Sequence, residues 1–176
     1  MKPLILIASA VLALTPIATA QDWPEAFKPG PAIEAFGPWA AVDGAVLPDP
    51  EIEYRVAFDI AKGAKDGALN RRFETVARFI NQLAGSGVPA EHIQPAIVVH
   101  GSAALDLLQP AKGETNPQAA LVKALLDNGA QIIVCGQTAA YRGFDKDDLL
   151  PGVMLSVSAM TAHAELAREG YTPNPF

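Results

Sequence analysis

The sequence predicts a three-layer α/β/α sandwich with a mainly parallel sheet of four or five strands. Three observations lead there. Short apolar runs rich in β-branched residues alternate with stretches whose apolar residues recur at helical spacing. Glycine, asparagine and proline fall at the junctions. The 176 residues, 50% of them hydrophobic, suffice for one domain with a proper core. A chain that alternates strand and helix builds parallel strands joined by right-handed crossovers, with helices on both faces.

The chain opens MKPLILIASAVLALTPIATA. Lys2 gives a positive start, Leu4 to Leu14 an apolar stretch, and Ala18-Thr19-Ala20 an A-x-A cleavage site. Residues 1–20 therefore read as a secretory signal peptide. The apolar stretch is short for a membrane span. No twin arginine is present, and Gln21 stands where a lipoprotein would need cysteine. The expectation is a soluble chain that starts near Gln21 and is periplasmic or otherwise exported, with no membrane contact after cleavage.

Residues 21–50 form a Pro/Gly-rich arm that also carries Trp23, Phe27, Phe36 and Trp39. Aromatics on irregular backbone imply that packing holds the segment down, over its own domain ahead of a neighbouring subunit. Residues 51–176 are the α/β domain. Ile52 to Ile60 alternates apolar and polar, a strand. Gly63 and Gly67 bracket a loop. Phe73, Val76, Ala77, Ile80 and Leu83 make a helical stripe, with Asn70 as its cap and Gly85-Ser86-Gly87 as its stop. Pro95 to His100 is a second strand, and Gly101 to Leu108 turns into a short helix. Asn116-Pro117 starts the next helix, Leu121, Val122, Leu125 and Leu126 bury it, and Asn128-Gly129 ends it. Gln131 to Cys135 is the third strand and Val153 to Val157 the fourth. Ser158 caps a last helix that runs through Leu166 and stops at Gly170. The tail YTPNPF carries two prolines and no helix.

Charge excludes some functions. With 13 basic and 19 acidic residues the net charge is −6, one unit more negative once Lys2 leaves with the leader. No basic cluster offsets this, so neither nucleic acid nor an anionic membrane is an expected partner. No GxGxxG or Walker loop, CxxC, HExxH or G-x-S-x-G elbow occurs, and no cofactor is expected.

Cys135 is the only cysteine. An exported chain normally pairs its cysteines, and one alone cannot pair within the chain. Two strands end alike, in His100-Gly101 and Cys135-Gly136, at the carboxyl edge where open α/β sheets bind ligands. If these strands are neighbours, His100 and the helix start after Cys135 would favour the thiolate. Gln137 and Thr138 would offer hydrogen bonds to a bound anion, and Arg142 positive charge. The competing readings are a small buried hydrophobe at Cys135 and a structural histidine at His100. His163 reads as a surface or interface residue. A copper or zinc site from Cys135, His100 and His163 is conceivable, but the spacing does not specify it. Asp145, Lys146, Asp147 and Asp148 read as a solvated loop.

Three stretches carry a family likeness: VVHGSAALDLL, LLDNGAQIIVCGQT and DDLLPGVMLSVSAMTAHAELAREGY. They resemble the DsrE/DsrF-like family, in its exported branch, and by element order the likeness covers residues 52–172. The resemblance implies a sheet of typically five strands, assembled as dimers, trimers or hexamers. Four strands are evident, so the fifth would come from near Tyr171 or from the arm. In the sulfur-carrier members a strand-end cysteine accepts sulfur as a persulfide, and a short helix of small residues and an Arg-Gly pair follow it. Cys135 and Arg142-Gly143 match that pattern. Those carriers act in the cytoplasm, in tRNA thiolation or dissimilatory sulfur metabolism, so an export signal points away from tRNA.

The expected function is thus sulfur binding or relay on Cys135, assisted by His100. Gly101, Gly136, Gln137, Thr138 and Arg142 would form the binding site, in a homo-oligomer that meets a sulfur donor or acceptor protein. The alternatives are a non-catalytic oligomeric module that binds a small ligand or a metal, and a purely structural assembly protein.

Overall fold

The computed structural model describes residues 23–65 and 67–174; the leader expected over residues 1–20 lies outside the described residues. The element order is β1 (Tyr54–Ile60), α1 (Arg71–Gly85), β2 (Ile93–Val99), α2 (Ala119–Asp127), β3 (Gln131–Cys135), α3 (Gly136–Arg142), β4 (Met154–Ser156), α4 (Ala159–Arg168) and β5 (Thr172–Asn174). Short 3-10 turns occupy Ala90–His92, Gly101–Leu107 and Lys146–Asp148. The sheet has five strands in the order β4-β3-β2-β1-β5, and every pairing is parallel. Among the described residues no helix is long and apolar enough to cross a membrane.

Strand periodicity and crossover hand divide the molecule into layers. Phe58 and Ile60, Ile97 and Val99, and Ile132 and Val134 point to one face and join the main core with α1 and α2. Ala57, Ala96 and Val98 point to the other face, where Ala162 and Leu166 of α4 and Tyr171 cover them. The small side chains at 57 and 96 let α4 lie close. The chain steps from β1 to β4 in one direction and then returns across the sheet to β5. Right-handed connections therefore place α4 opposite α1 and α2.

Several boundaries differ from the sequence expectation. β1 starts at Tyr54, because Asp49 to Ile52 form a turn in which Ile52 N–H bonds Asp49 C=O at 3.3 Å. β2 begins at Ile93 and ends at Val99, leaving His100 just beyond the ladder. Asn116-Pro117 starts a turn, not the helix. The Asn116 carboxamide oxygen takes the Gln118 N–H, and its amide nitrogen donates to the Asp106 and Leu108 carbonyls. β4 is only Met154–Ser156, and Val157 is exposed. The fifth strand comes from the tail: Thr172, Pro173 and Asn174 pair with Val56, Ala57 and Phe58. Pro173 is tolerated because β5 is an edge strand.

The arm packs on its own domain, with one buried asparagine of α1 at the centre of its polar contacts. Asn81 is fully buried. Its oxygen accepts the N–H groups of Ala32 and Ile33, and its amide donates to the carbonyls of Ile33, Phe36 and Gly37. Arg78, one turn earlier, bonds the Pro38 carbonyl and lies 4.6 Å from the Trp23 ring centroid.

Candidate functional site

The period-2 alternation that builds the small core also builds a site. Asp59 of β1 pairs in register with Val98, two residues before His100, and Val99 of β2 pairs with Val134, one residue before Cys135. All three polar side chains therefore leave the sheet at its carboxyl edge, on the α4 face. They line a cavity of about 330 Å³, which the start of α4 closes with Ser158, Ala159, Met160 and His163. A second cavity of about 190 Å³, beside Phe58, Arg71 and Thr75 on the opposite face, is lined by no cysteine, histidine or carboxylate.

Cys135 is the last residue of β3 and the N-cap of α3, and is 6% exposed. Burial pushes its thiol pKa up. Hydrogen bonds from the Thr138 backbone, the Thr138 hydroxyl and the backbone N–H groups of Ala159 and Gln137 outweigh that and hold it below its ordinary value. Two helix starts thus converge on one sulfur: α3 supplies Gln137 and Thr138, and α4 supplies Ala159. Ser158 secures the α4 start through a capping box with Thr161.

Two glycines make this geometry possible. A Cβ on Gly136 would come 2.5 Å from the Ser156 carbonyl oxygen, so only glycine lets α3 leave β3 beside β4. Gly101 turns with φ +57° and donates its N–H to Thr138 Oγ1 at 3.3 Å. The hydroxyl oxygen is engaged there, which leaves its proton for the sulfur.

The expected site residues separate into three groups. Cys135, His100, Gln137 and Thr138 line the cavity. Gly101 and Gly136 shape it from behind. Arg142 lies outside: it is seven residues along α3, about 10 Å by helical rise, exposed, with its guanidinium carbon 5.8 Å from the Tyr141 ring centroid. His100 also differs from expectation in what it touches. Its Nε2 is 3.1 Å from Asp59 Oδ2, and the groups that hold the thiol down are amide and hydroxyl donors.

Asp59 and His163 belong to the site as well. His163 Nε2 lies 2.8 Å from Asp59 Oδ1, so one carboxylate bridges two imidazoles. Burial pushes the Asp59 carboxyl up, but the hydrogen bonds from His163 and His100, with their charge, bring it below its ordinary value. The available signal for Asp59 was its place: a polar residue at the carboxyl end of a strand whose two faces are both covered. His163 follows Ala159 by four residues and so shares its face of α4. Among the described residues no three His, Cys, Asp or Glu side chains are grouped to hold a metal ion.

An open parallel α/β sandwich with a donor-held thiol at its carboxyl edge defines the class. The chain belongs to the DsrE/DsrF-like family, whose model matches residues 55–172. Among solved structures it is similar to MTH1491, a protein of unknown function from Methanobacterium thermoautotrophicum. They share 21% identity over 69% of this chain and 97% of that one, with a TM-score of 0.50. It is also similar to the ychN protein of E. coli, at 17% identity over 68% of this chain and 96% of that one, with a TM-score of 0.49. At these identities the likeness concerns the fold. No curated protein matches the chain.

Proposed function

We propose that this protein is an exported sulfur carrier, in which Cys135 takes sulfane sulfur as a persulfide and passes it on. The carrying observation is the sulfur's place: Cys135 ends β3 and begins α3 on the wall of a cavity with room for a small ligand, where the N–H groups of Gln137, Thr138 and Ala159 and the Thr138 hydroxyl favour its charged form. Such donors favour the thiolate, the nucleophilic form. With thiosulfate, the thiolate attacks the outer sulfur. A new S–S bond forms, the old one breaks, and sulfite leaves with the electron pair, so no outside oxidant enters. The same donors then hold the charge on the terminal sulfur of Cys135–S–S⁻. Family membership supports this reading, and the leader supports its location outside the cytoplasm.

Intact-mass spectrometry tests it. After thiosulfate or polysulfide, the wild type should gain about 32 Da in a form that alkylation traps, and Cys135→Ser should gain nothing. The 6% exposure of Cys135 favours a second reading, a non-catalytic ligand-binding module. That reading expects no adduct, and ligand binding to wild type and Cys135→Ser alike.

A further inference from the structure

Asp59 does something that the thiol alone does not require. It ties His100, at the end of β2, to His163, in the second turn of α4, through contacts of 3.1 Å and 2.8 Å to its two oxygens. Both rings use Nε2. Asp59, His100, His163 and Cys135 are the ionisable side chains that line the cavity. A carboxylate only accepts hydrogen bonds, so each imidazole carries its N–H at Nε2, and in the neutral ring Nδ1 is left as an acceptor. Donors favour the sulfur's charged form, whereas the two imidazoles that line the same cavity are each tied to a carboxylate. A dianionic sulfur donor has no use for proton acceptors. A protonated thiol does.

We infer that the Asp59-held histidines receive the proton of the second substrate, a thiol, as that thiol takes sulfur from Cys135. This rests on the persulfide reading. The S–H proton of the incoming thiol passes to an imidazole Nδ1, and its electron pair forms a bond to the outer sulfur of Cys135–S–S⁻. The S–S bond to Cys135 breaks with its pair on Cys135, which returns to the thiolate beside its N–H donors. The acceptor leaves as R–S–S⁻, its former proton stays on the imidazolium, and nothing is oxidised or reduced overall. Asp59 is a positioning residue: it fixes both tautomers and neutralises the imidazolium.

Full-length mature wild type, Asp59→Asn, His100→Gln and His163→Gln are loaded with thiosulfate and then discharged with 2-mercaptoethanol across pH 6 to about 10, the range in which the probe thiol itself ionises. Discharge is measured from the loaded fraction of each variant, so that any difference in loading is divided out. Discharge by Asp59→Asn and at least one histidine variant should slow by on the order of 10- to 100-fold near neutral pH. The deficit should close as the probe thiol ionises and needs no base. Unchanged discharge, or a deficit equal at every pH, overturns the inference while loading still supports the relay. A wild type that never loads overturns both. Melting temperatures are read for each variant, and His163→Gln, which leaves Asp59 in place on β1, carries the test if Asp59→Asn melts early.

Discussion

At the residue scale the site depends on which groups face the sulfur. Removing the Thr138 hydroxyl takes away one of four donors and leaves three backbone ones. Thr138→Val should therefore raise the folded-state thiol pKa by about one unit, read from the pH dependence of iodoacetamide alkylation. The sign of the linkage follows from a depressed pKa. The stabilisation by the thiolate is complete above the ordinary thiol value and is lost as pH falls through the lower, folded value. Relative to Cys135→Ser, the wild type should thus gain melting temperature as pH rises through the folded thiol pKa, and level off near about 8.5. A melting-temperature difference that is flat with pH would mean a thiol with no such donors. Cys135 was legible as a lone cysteine closing an apolar run before glycine. The Asp59–His163 pair was not, because 104 residues separate its members and only the return of α4 across the sheet joins them. His100 was legible by position but not by partner, since strand parity places Asp59 between it and His163.

At the element scale the helices announced themselves and the edges did not. Asn70 does cap α1, accepting the Arg72 N–H at 3.0 Å, and Ser158 does cap α4. β5 was placed near Tyr171 only through the family likeness, because three residues with a central proline carry little strand signal of their own. Only its edge position makes the proline harmless. Asn116-Pro117 misled because the asparagine that looks like a cap bonds two carbonyls of the preceding turn. The arm was legible as packed, from its aromatics, but Asn81 sat unnoticed within the helical period. Losing the Asn81 carboxamide strands buried carbonyls and N–H groups. Asn81→Ala should destabilise by roughly 2–4 kcal/mol in urea unfolding and speed chymotrypsin cleavage after Phe36 of the arm. Asn81→Asp should be worse, since it turns a carboxylate toward three carbonyls. A change under about 0.5 kcal/mol would mean that the arm is held by its aromatics alone.

At the scale of the whole molecule, the alternation of periods was enough to specify the sandwich, because a parallel sheet admits few topologies once crossover hand is fixed. The coverage of its faces was less evident. α4 alone covers one face, and Tyr141, Val157 and Met160 stand 86%, 72% and 79% exposed there or on the neighbouring helix. A second copy of the chain over these side chains would account for their exposure. Sedimentation of residues 21–176 should then show a dimer or larger, shifted toward monomer by the double change Val157→Asp and Met160→Asp. A monomer at micromolar concentration would refute that. Whether Cys135 carries sulfur is read most directly from the intact mass of the folded chain, residues 21–176, after thiosulfate or polysulfide. A carrier gains about 32 Da in a form that alkylation traps and Cys135→Ser abolishes. No adduct, together with a folded-state thiol that resists iodoacetamide, would contradict the carrier role.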